Sequence, residues 1–257
     1  GLSRSWSHEA SFMHNQHLEG ISQEYAAFAH TRGWSLNLNF LNSGAVPRTT
    51  ISNPSGTGLG DTNSSDLALG AGYAAAINEY LSLGAGLKFI RESIAGYSGQ
   101  AFALDVGALY AVPGVEKLSL GVAMQNIGPA VKFQAAKENL PLNLRAGAAY
   151  GWVWREQEVV TSLDLAKERS EEVLVGFGAE AVIARALPVR LGFNTRNDAE
   201  LGITAGVGWR FRDFMLDYAF VPYGDLGISH RISVTWQFGE GAGASWYEYR
   251  KEEGERR

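Results

Sequence analysis

The side chains able to do covalent or metal chemistry are few. The chain holds five histidines, His8, His14, His17, His30 and His230, and no cysteine. A hydrolase needs a nucleophile within reach of a histidine base, yet no triad and no GxSxG turn is present. His14-x-x-His17 offers two imidazoles to a metal. A zinc centre takes three or four protein ligands, so loop polarity explains this pair more simply. Without cysteine there is neither a disulfide framework nor a thiolate metal site. The glycine-rich stretches repeat glycine at every second residue, as spacers inside strands, and do not read as phosphate loops. No cofactor and no enzymatic activity is expected. The remaining chemistry lies in the charged residues, and what they do depends on the elements that carry them.

Those elements are strands. In residues 228–238, Ile228, His230, Ile232, Val234, Trp236 and Phe238 alternate with Ser229, Arg231, Ser233, Thr235 and Gln237. Successive strand side chains face opposite ways, so one face is apolar and the other polar. About ten such residues cross a bilayer as a tilted strand, and the Trp-x-Phe ending suits a membrane interface. The same alternation recurs in about fourteen segments: 9–14, 23–30, 34–41, 66–76, 80–91, 100–111, 116–126, 141–154, 158–165, 173–183, 188–196, 201–212, 214–221 and 228–238. None sustains a helical period. No run of about eighteen apolar residues occurs, so no transmembrane helix is expected.

Composition agrees with a membrane barrel. The chain has 257 residues, 46% hydrophobic, 19% charged and 11% aromatic, with 31 Gly. Mean hydropathy is only -0.11, as expected when alternate residues face lipid and a polar lumen. The net charge of -5 and the lack of a basic stripe argue against nucleic acid.

The connections alternate short and long. Tight ones fall at 31–33, 77–79, 112–115, near Arg155, at 184–187 and at Asp213; looser ones at 15–22, 42–65, 92–99, 127–140, 166–172, 197–200 and 222–226. An up-and-down outer-membrane barrel has short periplasmic turns and longer extracellular loops; a Greek-key sandwich has no reason to sort its loops by parity. The expected fold is therefore all-β: an antiparallel, up-and-down transmembrane β-barrel over residues 1–239. A charged tail, 240–257, reads as disordered and periplasmic. On the polar face lie Lys88, Asp105, Arg145, Asp164, Glu180, Arg190, Arg210, Asp217 and Arg231. They would line a lumen, either pairing across it to plug it or forming an ion-selective pore.

Several segments carry a resemblance: SFMHNQHLEGISQEYAAFA from Ser11, SDLALGAGYA from Ser65, LSLGAGLKFIRESIAGYSGQAFALDVGALY from Leu81, LSLGVAMQNIGPAVKF from Leu118, LPLNLRAGAAY from Leu140, and DYAFVPYGDLGISHRISVTWQFG from Asp217. They resemble the PorV/PorQ-type outer-membrane proteins, a group related to the FadL-like barrels. The resemblance runs from about Trp6 to Gly239 and is most specific over 90–103 and 217–239. It implies a FadL-like barrel of fourteen strands in the bacterial outer membrane, in contact with outer-membrane lipid. It also implies an accessory role in type IX-like secretion, with secreted cargo proteins and a translocon as partners and loops 42–65 and 127–139 as the working surface. The FadL-like relationship implies an alternative, a channel for hydrophobic small molecules. Phe12, Met13, Leu18, Ile21, Ile94, Tyr97 and Phe133 lie in or beside the outer loops as candidates to line its pocket. Members of the family carry a signal peptide and a small-residue segment that folds into the lumen as a hatch. Gly1-Leu2 looks like the remnant of that segment's final motif.

Overall fold

A computed structural model describes residues 2–5, 7–115, 117–132, 137–155, 157–195 and 202–239. The strands in chain order are β1 (His8–Gln16), β2 (Ser22–Ala29), β3 (Trp34–Asn42), β4 (Val46–Pro47), β5 (Asp61–Thr62), β6 (Ser64–Ala76), β7 (Leu81–Ile94), β8 (Tyr97–Ala111), β9 (Leu118–Ile127), β10 (Val131–Lys132), β11 (Lys137–Glu138), β12 (Asn143–Trp154), β13 (Gln157–Glu168), β14 (Val173–Ile183), β15 (Leu187–Asn194), β16 (Ile203–Phe211), β17 (Phe214–Pro222) and β18 (Ile228–Phe238). Fourteen close into one antiparallel barrel in which each pairs with the next and β18 returns to β1; β4–β5 and β10–β11 are separate two-stranded ribbons. The closing seam runs from His8↔Phe238 to Gln16↔His230. Closure gives every barrel strand a partner on both sides, which is what allows a sheet to stand in lipid.

The distribution of apolar surface shows which solvent the barrel faces. Among the described residues the buried hydrophobic side chains are few: Ala101, Ala103, Val131, Leu140, Val159 and Val182. The large ones point outward, with Leu87 65%, Leu191 62% and Phe102 67% exposed. A water-soluble protein does not expose a continuous apolar belt of this kind, whereas a transmembrane barrel requires it. Trp34 opens β3, Trp152 and Trp154 close β12, Trp209 and Phe211 close β16, Phe214 opens β17, and Trp236 and Phe238 close β18. All eight rings sit at the ends joined by short turns, as an interfacial girdle does.

The opposite boundary is visible on the β7–β8 hairpin. Outward Phe89 is paired with Phe102; one outward step higher Arg91 is paired with Gln100, and the next pair is Ser93 and Ser98. The belt ends at the phenylalanines, and the hairpin continues upward into water. Residues 92–99, expected as a looser loop, are mostly strand. The turn is Ala95-Gly96 alone, with φ of 52° and 89°. Two left-handed residues make the tight hairpin turn whose twist matches antiparallel strands. Alternation weakens above the belt because both faces there meet water, so the sequence hid the strand. The tail 240–257 lies outside the described residues.

Candidate functional site: the lumen and its outer mouth

Lys88, Asp105, Arg145, Asp164, Glu180, Arg190, Arg210, Asp217 and Arg231 all stand on the face opposite the apolar belt. Glu180 and Arg190 are direct cross-strand partners, and the Arg190 Nε donates to Glu180 Oε2 at 2.5 Å. The Nη1 of the same guanidinium reaches past β16 to the Asp217 carboxylate on β17. It can do so because β16 presents Gly206 and Gly208 at that point. A Cβ on Gly206 would lie 3.6 Å from the Arg190 Cβ; one on Gly208 would lie 2.9 Å from Pro188 Cγ and would collide with the Asp217 carboxylate. Lys88 pairs with Asp105 at 2.9 Å. These pairs run along the wall between neighbouring strands. They do not bridge the lumen. Arg145, Asp164 and Arg231 are exposed although they face inward, so protein does not pack over them. Among the described residues none of these three, nor Arg210, forms an ion pair.

A polar chain lines the seam. Ser229 Oγ donates to Asn15 Oδ1 at 2.8 Å, Asn15 Nδ2 to Gln23 Oε1 at 3.3 Å, and Gln23 Nε2 to Asn39 Oδ1 at 2.9 Å. Below it, Gln237 Nε2 donates to Glu9 Oε1 at 2.8 Å.

The outer mouth is shaped by one irregularity. Between Leu104↔Ile127 and Val106↔Met124 the register shifts, so Gln125 and Asn126 on β9 oppose Asp105 alone. This is a β-bulge, which bends its strand. Asn126 adopts φ 61°, a left-handed conformation that asparagine tolerates better than most residues. Its N–H donates to Asp105 Oδ1 at 2.8 Å, its Oδ1 accepts from Lys88 Nζ at 2.5 Å, and its Nδ2 donates to the Pro141 carbonyl at 2.9 Å. Beyond the knot β9 stops, while Tyr97–Ala103 of β8 continue with no β9 partner.

The chain then folds inward. Gly128 lies directly on the β8 backbone at Phe102 and Ala103, where a Cβ would collide. Val131 and Leu140, 2% and 3% exposed, pack with Ala101 and Ala103 of β8, and Ile90 of β7 lies against them. The far end is held by the Arg169 N–H donating to the Leu142 carbonyl at 2.9 Å. Beside this apolar cluster is a cavity of about 500 Å³ lined by Glu92, Lys137, Glu138, Glu168 and Arg169 together with Val131, Leu140 and Pro141.

The residues expected to line a pocket do not converge. Phe12 and Met13 are consecutive in β1 and face opposite ways, Phe12 outward and exposed. Leu18 and Ile21 belong to the β1–β2 loop, and Ile94 and Tyr97 flank the exposed tip of the β7–β8 hairpin. None of these six lines the mouth cavity; Phe133 lies outside the described residues. Sequence position put them near outer loops, but strand parity and hairpin height separate them. Val131, Leu140 and Asn126 were not singled out. The one available signal was Gln125-Asn126, two polar residues in succession where alternation allows one.

The histidines take structural roles. His14 Nδ1 bonds Glu24 Oε1 at 2.6 Å on the outer face, and Tyr218 Oη pairs with His230 Nδ1 at 2.7 Å. His17 packs edge-on against Tyr223. Its pKa is pushed below the ordinary value, by burial first and then by the Arg231 charge. Among the described residues no group of three metal-binding side chains occurs.

These features define a class: a closed fourteen-stranded antiparallel barrel of the bacterial outer membrane, with charged side chains on its inner face. No family model and no curated protein matches the chain. Solved structures do. Omp33 of Acinetobacter baumannii aligns over 92% of this chain and 100% of its own with a TM-score of 0.53 at 11% identity. CymD, described as a monoaromatic hydrocarbon channel, aligns over 92% of this chain and 90% of its own with a TM-score of 0.56 at 12% identity. TodX of Pseudomonas putida, described as a toluene transporter, aligns over 90% of this chain and 87% of its own with a TM-score of 0.53 at 10% identity. At these identities the likeness is one of fold.

Proposed function

We propose that the protein is a non-enzymatic outer-membrane channel for hydrophobic small molecules. The observation that carries this reading is the apolar cluster at the outer mouth. Val131, Leu140, Ala101 and Ala103 bury one another inside the lumen, with Ile90 against them, and Val131, Leu140 and Pro141 border the mouth cavity. A hydrophobic solute entering that cavity would gain roughly 25 cal/mol per Å² of apolar wall that it covers. The mouth cavity adjoins that cluster, and the wall beside it lacks a β9 partner along Tyr97–Ala103. The descriptions of CymD and TodX support the same reading by likeness of fold. Titrating the detergent-solubilised barrel with fluorotoluene, read by fluorine NMR, tests it. Saturable binding lost in Val131→Asp is expected; binding unchanged by that substitution contradicts the reading.

A second reading keeps the resemblance to PorV/PorQ-type proteins, an accessory barrel for secreted cargo. Its support is the 42–65 loop, where Ile51 is fully exposed and Val46 and Leu59 are partly so. Apolar side chains held out in water suit a protein partner. Purifying the full-length protein from outer membranes and identifying what accompanies it separates the readings. Secreted proteins and a translocon subunit in the same complex, lost in Ile51→Asp, favour the second.

A further inference from the structure

An ionisable pair stands on the outward face of the barrel, within the apolar belt. The hydrogen-bonded row that begins at Phe102 on β8 passes Phe89, Leu38 and Phe12 and ends at Trp209 on β16. Barrel strands tilt by about 35–45°, so this row descends from the outer edge of the belt to the opposite girdle. The next outward row includes Arg91 on β7, just beyond the belt. It has descended three strands by Glu24 on β2 and four by His14 on β1, so both lie within the belt. Phe40 flanks Glu24 and Ile232 flanks His14 in the same row.

His14 and Glu24 bond one another at 2.6 Å, and each side chain is a third or more exposed. Among the described residues His14 Nε2 and Glu24 Oε2 have no further partner. Glu24 is also the only carboxylate on the outward face of the described barrel strands. Acyl chains offer such groups nothing to bond. Ionisable side chains inside a membrane are costly and mark contacts that serve a function.

We propose that this wall is where two copies of the chain pair in the membrane, about a two-fold axis along the membrane normal that passes between His14 and Glu24. Copies inserted in the same direction face one another across such an axis, and the left of one wall meets the right of the other. His14 then meets the partner's Glu24, and Glu24 the partner's His14. An imidazolium donates from both ring nitrogens, so Nδ1 holds the Glu24 of its own chain and Nε2 the partner's. Two cations and two anions close a ring away from lipid, enclosed by Phe12, Phe40 and Ile232. A patch of one sign would repel its own copy, whereas this one is its own complement. The inference rests on the outer face alone and not on what passes through the lumen.

Because the chain has no cysteine, Phe12→Cys places a single thiol beside the axis. Leu163→Cys places one on the outward face of β13, across the barrel. Outer membranes holding the full-length protein are treated with a short bismaleimide, and the products are identified by mass. A dimer of this chain in Phe12→Cys and none in Leu163→Cys is expected. His14→Leu with Glu24→Leu suits lipid and should leave the barrel folded, which heat-modifiable migration checks. Added to Phe12→Cys, the two leucines should abolish the dimer. Monomer alone in Phe12→Cys would overturn the proposal, as would a product containing a different protein, an equal dimer in Leu163→Cys, or a dimer undiminished by the two leucines.

Discussion

Arg190 and Leu191 are neighbours in β15 with opposite surroundings. Arg190 lies along the inner wall between Glu180 and Asp217, a third exposed; Leu191 stands on the outer, apolar face. Partly exposed ion pairs contribute about 0–1 kcal/mol, so Arg190→Gln should lower unfolding stability by no more than about 1 kcal/mol. Leu191→Arg puts a cation in the belt and should cost about 2–4 kcal/mol. Urea unfolding in lipid compares them, and equal costs would mean that the faces are misassigned. At the seam, His17 has its pKa lowered by burial and by Arg231. Its neutral form is thus favoured in the folded protein. The stability it contributes is full above the ordinary histidine range and falls as pH drops through that range. NMR titration should place His17 below the ordinary histidine value, and Arg231→Gln should move it upward.

At the scale of elements, the bulge at Asn126 ties β7 and β8 to the start of β12 through Lys88, Asp105 and Pro141. Asn126→Val removes the side-chain bonds to Lys88 and Pro141 and puts a β-branched residue at φ 61°. Amide exchange at residues 137–142 should then rise sharply while β12 and β13 stay protected. Retained protection in the loop would show that Val131 and Leu140 suffice to hold it. The regular strands were legible in the sequence because lipid on one side and water on the other enforce a period of two. The upper halves of β7 and β8 were not, because both faces meet water there. The inward course of 128–132 and 137–142 was equally hidden. It depends on three residues distant in sequence, Lys88, Asp105 and Pro141, meeting one asparagine.

At the scale of the whole molecule, parity marked Lys88, Arg190, Asp217 and the other charges as sharing a face, but a lumen and bulk solvent look alike in a sequence. Closure of β18 on β1 makes that face an interior. Nearness to a loop likewise does not fix a side: Phe12 and Met13 are adjacent in the chain and stand on opposite sides of the wall. The central claim, passage of a hydrophobic solute past the Val131–Leu140 cluster, is tested most directly by uptake into cells. Phospholipid vesicles leak such solutes, so the assay needs a lipopolysaccharide outer leaflet. Initial uptake of labelled toluene is compared in Gram-negative cells with the full-length protein, with its Val131→Asp form at equal folded amount, and with neither. Uptake that rises with the protein and falls back with Val131→Asp is predicted. Uptake equal in all three would contradict the account.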